Sequence, residues 1–244
     1  MIDKDLNNYF LDIHCHSSFD IEKLQKLNLQ NIIAITNSTN LKDNYAYRKL
    51  AKEKISNLYF AYGFHPESLL ETNINEIKTE INKLDFLSAI AIGEIGLDSY
   101  YASKIENGLE KQKELFATQL DLAEKLDLPV IIHSRGSQGE VLDILSNYKN
   151  LKVILHWFSG SLEQQKEALR RGYYLSIRFN RPKIEDVKNC LEQIFIETDC
   201  PVNYDGKATD NFDIIKSYEL FAEKNKIDLE FLKEKIYSNF KNCF

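Results

Sequence analysis

The five histidines of this chain all lie at the ends of apolar runs. His14 and His16 close the run YFLDIHCH, and His65, His133 and His156 close LYFAYGFH, LPVIIH and LKVILH. Histidines scattered over a protein surface would not all occupy such positions. Imidazole nitrogens are common ligands of divalent ions, so the pattern predicts a metal centre built at the ends of strands.

Two acids occupy the same kind of position. Glu94 lies in AIAIGEIGLD, and Asp199 lies in QIFIETDCP. Alternate residues of a strand point to the same face, so His14 and His16 can hold one ion between them. Asp199 is expected to ligate that same ion and to accept a proton from a metal-activated water.

A second ion requires its own ligands and a shared anion. Two divalent ions about 3.5–4 Å apart repel each other, and a bridging carboxylate offsets part of that repulsion. Glu94 is the natural bridge, because it ends the fourth strand, and the flanking Gly93 and Gly96 would let the backbone turn tightly there. His133 and His156 would hold the second ion. The sequence therefore predicts two divalent ions, with Mg, Mn and Zn as the candidates.

A scaffold of alternating strands and helices must position these side chains. The predicted strands cover residues 9–14, 31–36, 58–63, 89–94, 129–133, 152–156, 173–177 and 194–199. The predicted helices cover residues 40–55, 68–84, 107–127, 161–171, 210–224 and 228–240. Most of the strands are apolar on both faces, which is typical of parallel strands covered by helices.

Eight strands alternating with helices predict a (β/α)8 TIM barrel. A doubly wound open sheet alternates in the same way, but it gathers ligands mainly at its switch point. The candidate ligands come from strands throughout the chain, and only a closed barrel brings all those carboxyl ends to one rim. No linker, low-complexity segment or internal repeat interrupts the pattern, so residues 1–244 are predicted to form a single domain.

Composition narrows the classes of function. The formal net charge of the 244 residues is −6, which argues against a sequence-reading DNA binder with a broad basic face. An enzyme acting on phosphate esters is still allowed, because two bound cations make a pocket locally positive. No apolar run approaches the about 20 residues that span a bilayer, and the acidic N-terminus is unlike a signal peptide. We therefore expect a cytoplasmic protein that does not enter a membrane.

The four cysteines are expected to be free thiols. They form no CxxC pair, so neither a zinc ribbon nor a thioredoxin motif is indicated. Cys15 and Cys200 stand beside candidate ligands, and we expect both to pack behind a strand end.

Six segments together resemble a known family. DIHCH, GFHP, GEIGLD, IIHSR, HWFSGS and ETDCP, in this order and spacing, are similar to those of the TatD-type metal-dependent deoxyribonucleases, which are amidohydrolase-like barrels. The resemblance runs from about residue 10 to the C-terminal SNFKNCF. It implies two divalent ions, with Glu94 where related hydrolases often use a carbamylated lysine. It also implies hydrolysis of DNA phosphodiesters, typically with exonuclease character.

Transferred motif by motif, the resemblance assigns a role to each candidate. The implied metal ligands are His14, His16, Glu94, His133, His156 and Asp199. His65 of GFHP is implied to line the pocket and to contact a substrate phosphate. Arg135, just past a ligand, is a candidate for a phosphate contact or for a structural salt bridge.

The segments around the pocket depart from the family pattern. After ETDCP the family usually continues with an aromatic residue, an Arg-Gly stretch and Asn-Glu-Pro, whereas this chain reads VNYDGKATDNF. The usual HSRDA reads HSRGS here. These changes affect the expected substrate more than the hydrolytic chemistry. TatD-like proteins also occur in bacterial anti-phage gene sets, so antiviral defence and protein partners from a multi-gene system are a further implication.

Several other residues have two interpretations. Asp98 of GEIGLD either orients a ligand histidine or caps the segment that follows. Trp157 and Phe158 either stack a base at the pocket mouth or pack beneath the next helix. Arg178 and Arg181, after the seventh strand, are weaker candidates for phosphate contacts.

Three functions fit the sequence. The first is a two-metal phosphodiesterase acting on DNA ends or single strands, in which Asp199 and Glu94 are catalytic. The second keeps the barrel and metals but hydrolyses an amide or ester bond. The third is a catalytically silent subunit of a defence complex. The intact set of six ligands argues against the third, and a glutamate at position 94 in place of a lysine favours the first.

Overall fold

Strands and helices alternate along the chain, and the strands pair in their sequence order. The computed structural model describes residues 8–17, 20–178, 189–204 and 207–244. Within these residues the barrel strands are β1 Phe10–Cys15, β2 Ile32–Asn37, β3 Leu58–Tyr62, β4 Ala89–Gly96, β5 Val130–His133, β6 Val153–Leu155, β7 Tyr174–Arg178 and β8 Ile194–Glu197. They form one sheet in the order β1 to β8, and every neighbouring pair is parallel. The eight predicted strands are confirmed.

Hydrogen bonds between the first and last strands bring the ends of the sheet together. The backbone N–H of Asp199 donates to the carbonyl of His14 at 3.0 Å, and that of His16 donates to the carbonyl of Cys200 at 2.6 Å. Deeper in the sheet, the backbone N–H of Thr198 donates to the Asp12 carboxylate at 2.9 Å. The sheet is therefore a nearly closed (β/α)8 barrel, as predicted.

Helices follow the strands and cover the outer face of the sheet. Their bounds are α1 Ile21–Leu29, α2 Leu41–Ala51, α3 Ile74–Lys83, α4 Ser99–Ala102, α5 Gly108–Leu126, α6 Gln138–Leu145, α7 Leu162–Arg170, α8 Asp213–Asn225 and α9 Leu229–Cys243. The six predicted helices are present, although α3 begins later than predicted because Pro66–Leu70 forms a separate 3₁₀ turn. Helices α1, α4 and α6, which are short, were not predicted from the sequence.

Side-chain caps fix where several helices begin. Asn40 accepts a hydrogen bond from the backbone N–H of Asp43 at the start of α2. Ser161 and Gln164 form a reciprocal capping box at the start of α7. Each cap satisfies backbone donors that have no partner within the helix. These helices therefore begin a few residues past the strand ends, and the intervening loops are left to form the site.

The core lies where the strands meet the helices. Every residue of β2 is buried, and so are Val130, Ile131 and Ile132 of β5. Burial on both faces explains why the strands read as continuous apolar runs. The four cysteines are free and buried, as expected for Cys15 and Cys200. No helix in the described part of the chain is long and apolar enough to cross a membrane.

A short hairpin follows the last barrel strand. Strands β9 Asn203–Tyr204 and β10 Lys207–Ala208 pair antiparallel. This hairpin lies within the segment that departs from the family pattern. The strand pair follows Cys200 at the carboxyl end of the barrel.

Candidate metal centre

Two glycines let β4 present Glu94 at the barrel mouth. A Cβ at Gly93 would lie 2.9 Å from both the Asn37 Oδ1 and the Ile131 Cβ atoms. Gly96 has φ of +141°, and a Cβ there would lie 2.0 Å from the carbonyl oxygen of His133. Only glycine tolerates that backbone angle without strain. The flanking glycines therefore allow β4 and β5 to approach closely beside the carboxylate.

The two oxygens of Glu94 face two different sets of histidines. Oε1 lies 2.8 Å from His133 Nδ1 and 3.1 Å from His156 Nε2. Oε2 lies 3.3 Å from His16 Nε2 and 3.5 Å from His14 Nε2. Glu94 itself is 3% exposed. One buried carboxylate thus separates a pair of histidines on each side.

Asp199 faces the same two histidines as the second oxygen of Glu94. Its Oδ1 lies 3.4 Å from His14 Nε2 and 3.5 Å from His16 Nε2. Asp199 adopts a left-handed backbone conformation with φ of +52°, a region where non-glycine residues are uncommon and often functional. The Nδ1 atom of His16 lies 2.8 Å from the carbonyl oxygen of Asn37, which directs Nε2 toward the acids.

Carboxylates also orient the other two histidines. His133 Nε2 lies 2.8 Å from Asp98 Oδ2, and His156 Nδ1 lies 3.3 Å from Glu197 Oε1. Asp98 and Glu197 are both fully buried. A carboxylate bonded to the outer nitrogen of a histidine fixes the tautomer and raises the basicity of the inner nitrogen. Both histidines therefore have the hydrogen-bonding pattern of metal ligands.

Both interpretations of Asp98 apply. Its Oδ2 contacts His133 and also accepts a hydrogen bond from Arg135 Nε at 2.8 Å. Its Oδ1 accepts one from the backbone N–H of Tyr101 at 3.0 Å and so caps α4. The salt bridge of Arg135 leaves its side chain 52% exposed.

His65 lies beside Glu94 on the side of His133. Its Nε2 is 3.7 Å from Glu94 Oε1, and its ring centroid is 4.3 Å from that of His133. Its Nδ1 accepts a hydrogen bond from the backbone N–H of Glu67 at 3.1 Å. Burial lowers the pKa of His65 to about 3, so its ring is neutral. With Nδ1 as the acceptor, the proton is on Nε2, which faces the pocket.

The two central acids are held in their anionic forms. Burial raises the pKa of Glu94, but His156 and the hydrogen bond with His133, whose own pKa values are raised, outweigh burial and hold the pKa of Glu94 well below its usual range. Burial likewise raises the pKa of Asp199, and the close approach of His14 and His16 outweighs it and depresses the pKa. Two buried anions at such close range require compensating positive charge.

The donor set fits divalent cations. Within the described residues, neither ring nitrogen of the fully buried His14 has a hydrogen-bond partner, although buried polar atoms are normally paired. Its Nε2 points at two carboxylates from a distance too long for a good hydrogen bond. Nitrogen and oxygen donors that converge in this way suit borderline and hard divalent ions.

A cavity of about 640 Å³ opens over this centre. Its wall includes Tyr101, Arg135, Trp157 and Ser159. Phe158 is only 2% exposed, so the packing interpretation holds for it. Trp157 lines the cavity, and its ring lies 4.7 Å from the guanidinium carbon of Arg178. A substrate of roughly nucleotide size has room here.

Of the residues selected from the sequence, the structure brings together His14, His16, His65, Glu94, His133, Arg135, His156 and Asp199 around one cavity. Arg178 is buried against Trp157 and is not among the described residues that line the cavity. Arg181 lies outside the described residues. Glu197 was not selected from the sequence, because it lies inside the strand run IFIETD and only residues at the ends of such runs were considered.

Comparison with known proteins agrees with this geometry. The family model for TatD related DNase matches residues 11–244. An uncharacterized metal-dependent hydrolase of Buchnera aphidicola is 30% identical over 97% of this chain and 99% of its own length. One of Methanocaldococcus jannaschii is 29% identical, with 94% of each chain covered. The crystal structure of YjjV, a TatD homologue from Escherichia coli, superposes with a TM-score of 0.80 at 24% identity and covers 96% of this chain and 97% of its own.

The family match spans nearly all of the chain and includes every segment on which the resemblance was based. The solved homologue has the same barrel over nearly the full length of both chains. The chain therefore belongs to the TatD-related DNase family and is a metal-dependent hydrolase.

Proposed function

We propose that this hydrolase cleaves DNA phosphodiester bonds, at ends or in single strands, with two divalent ions. One observation carries the proposal. The two oxygens of Glu94 face separate sets of histidines, as a carboxylate shared by two ions would. A single ion would be bound by only one of these two sets of histidines.

The ligands divide into two groups around Glu94. His14, His16 and Asp199 would hold one ion, and His133 and His156 would hold the other. When bound, two such ions act as Lewis acids on a phosphoryl oxygen and lower the pKa of water toward neutrality. The remaining steps depend on the chain's own side chains.

Asp199 is the proposed proton acceptor. It is anionic, 7% exposed and part of the cavity wall, so it meets the solvent that enters the pocket. It accepts the proton of the attacking water and orients the oxygen toward phosphorus. Glu94 is too enclosed by histidines to take that role and is assigned to the bridge.

His65 and Arg135 are the proposed contacts to the phosphate. Arg135 bonds Asp98 through Nε and also contacts the side chain of Tyr101, and its terminal amino groups can donate to a phosphoryl oxygen at the pocket edge. His65 presents its Nε2–H beside Glu94 and can donate to a second oxygen. Fixed donors of this kind stabilise the charge that develops on the phosphoryl oxygens in the transition state.

DNA as the substrate is supported by the family description and by the size of the cavity. The net charge of −6 does not oppose it, because bound cations dominate the local field. Antiviral defence and a multi-gene complex stay predictions from the resemblance.

The test is a cleavage assay on end-labelled single-stranded DNA with Mg²⁺, Mn²⁺ or Zn²⁺. Wild-type protein should shorten the DNA, a chelator should stop the reaction, and Glu94→Ala should be inactive. Glu110→Ala is the matched control, because Glu110 is an exposed glutamate on α5 outside the cavity. Equal cleavage by wild type and Glu94→Ala would contradict the proposal. Activity on acyl or amide substrates without DNA cleavage would favour the second function.

A further inference from the structure

Two adjacent tyrosines stand beside the metal centre on the loop after β4. Tyr100 and Tyr101 are the two central residues of α4, and their ring centroids are 5.3 Å apart at an interplanar angle of 61°. Tyr101 lines the main cavity, and its ring centroid lies 6.0 Å from that of His65. Tyr100 is 53% exposed at the outer edge. A continuous aromatic surface therefore leads from the metal centre to solvent.

Two cations from different loops lie on these rings. The guanidinium carbon of Arg135 is 4.9 Å from the centroid of each tyrosine. Lys104 Nζ is 3.9 Å from the centroid of Tyr100 and 5.4 Å from that of Tyr101. We call Tyr100, Tyr101, Lys104 and Arg135 the tyrosine cluster.

The tyrosine cluster is attached firmly to the metal centre. Asp98 contacts both His133 and Arg135, so one carboxylate connects a metal-ligand candidate to a cluster residue. The backbone N–H of Ser99 donates to the carbonyl of Arg135 at 3.0 Å. Gly136 has φ of +67°, and a Cβ there would lie 2.2 Å from Ser99 Oγ, so the two loops are in close contact. The distance from the tyrosines to the metal centre is therefore fixed.

The charge of the cluster is only partly neutralised. Arg135 has one ion-pair partner, Asp98, among the described residues. In the same part of the chain no carboxylate oxygen lies within 4.0 Å of Lys104 Nζ. In a chain of net charge −6, two cations stacked on exposed aromatic rings beside a hydrolytic centre suit an anionic aromatic ligand.

A nucleobase can displace Lys104 from Tyr100. An exposed cation–π contact contributes about two- to fivefold to an equilibrium, whereas stacking of a base on an aromatic side chain contributes about 5- to 150-fold. Lysine has a long flexible side chain, so its ammonium can move from the ring to a neighbouring phosphate. The same residues therefore offer a surface for the base and a cation for the backbone.

We propose that the tyrosine cluster binds one nucleotide of a single-stranded nucleic acid, with its base stacked on Tyr100 and its phosphates bound by Lys104 and Arg135. This inference rests on the proposed function and makes it more specific. It places the bound strand along Tyr101 toward the metals. In a duplex the base would be covered on both faces by its neighbours, so the site favours unpaired strands.

Trp157 and Phe158, the aromatic residues noted in the sequence, are less suited to this role. Phe158 is buried, and the ring of Trp157 lies against the guanidinium of Arg178, which is itself buried and cannot move away as the exposed Lys104 can. Tyr100 combines a half-exposed ring with two neighbouring cations. The sequence analysis did not select either tyrosine.

The test measures binding to a fluorescent, phosphorothioate-linked oligothymidylate of about ten nucleotides, which resists cleavage by the metal-loaded protein. Tyr100→Leu should weaken binding about tenfold, whereas Tyr100→Phe should retain the affinity because the ring remains. Tyr45→Leu is the matched control, since Tyr45 is 48% exposed on α2 and lies outside the cavity. An abasic version of the oligonucleotide should bind the wild type as weakly as Tyr100→Leu binds the intact one. A ribonucleotide version shows which sugar the site accepts.

Equal affinity of wild type and Tyr100→Leu would overturn the proposal, and so would the absence of any binding. Cleavage of an unmodified oligonucleotide by the wild type is measured separately. If the strand is cleaved and Tyr100→Leu binds as tightly as wild type, the subsite is wrong and the phosphodiesterase stands. If binding depends on Tyr100 and no strand is cleaved, the subsite stands and the phosphodiesterase is wrong.

Discussion

The metal centre and the tyrosine cluster lie side by side but are built differently. The metal centre takes its side chains from the ends of strands, and most of them are buried, as His14, Glu94 and His156 are. The tyrosine cluster takes its side chains from two loops, and Tyr100 and Arg135 are about half-exposed. Strand ends fix geometry to the precision that metal ligation needs, whereas loops vary without disturbing the barrel. If both proposals hold, the reaction and the choice of substrate are carried by separable parts of the molecule.

The largest expected effect follows from replacing the proposed base of the metal centre. Asp199→Asn keeps the size of the side chain but removes its charge and its proton affinity. We expect kcat to fall on the order of 10³-fold, as is typical when a positioned general base is lost. Steady-state cleavage kinetics would measure the loss. Asp121→Asn, on the surface of α5, is the control, and wild-type kcat in Asp199→Asn would remove Asp199 from the mechanism.

Removing the metal ions should lower the stability of the folded barrel. A ligand present at a hundred times its Kd stabilises the native state by about 2.7 kcal/mol. At about 2–4 °C per kcal/mol for a domain of this size, a chelator should lower Tm by roughly 5–10 °C. Differential scanning calorimetry checks this with Glu94→Ala as the comparison, which should respond little. An unchanged wild-type Tm would contradict tight metal binding at this centre.

Replacing the carboxylates that are bonded to the outer nitrogens of His133 and His156 should have a smaller effect. Loss of such a partner typically costs about 10- to 100-fold in metal affinity. Asp98→Asn and Glu197→Gln should therefore weaken metal binding by that factor while the chain stays folded. Competition with a fluorescent chelator measures the change, and Glu167→Gln, on the surface of α7, is the control. Only Asp98→Asn should also weaken DNA binding, because only Asp98 is bonded to Arg135. An equal loss of DNA affinity in both variants would argue that the two regions are not separable in this way.

The smallest effect concerns the charges of the tyrosine cluster. Each single-strand phosphate contact contributes about 0.7 to the slope of log affinity against log salt concentration. Lys104→Gln should reduce the slope for oligonucleotide binding by about that amount and leave metal affinity unchanged. Lys111→Gln, on α5 outside the cavity, is the control. A slope equal to that of the wild type would exclude Lys104 as a phosphate contact.

The same contrast explains what the sequence could predict. Strand ends are visible as apolar runs, so the positions of His14, His133 and Asp199 were accessible without a structure. The short helices α1, α4 and α6 were missed because four to nine residues give too few turns for a clear periodicity.

Contacts between distant loops were not predictable. Tyr100 and Arg135 are separated by 35 positions and meet only because β4 and β5 are neighbours in the barrel. Glu197 was hidden for a different reason. A carboxylate inside an apolar strand gives no sign of a partner, and its partner His156 directly follows β6, which is two strands away from β8 in the sheet.

The hydrogen bonds that join β1 to the segment after β8 also have a consequence for biosynthesis. Asp199 and its neighbour Cys200 are made more than 180 residues after His14 and His16. A chain grows from its N-terminus at about 5–20 residues per second, so the early histidines wait roughly ten seconds or more for their partners. During that interval the nascent chain can bind metal ions only through histidines that are not yet assembled into one site. High-affinity metal binding is therefore expected only after β1 has paired with the segment that follows β8.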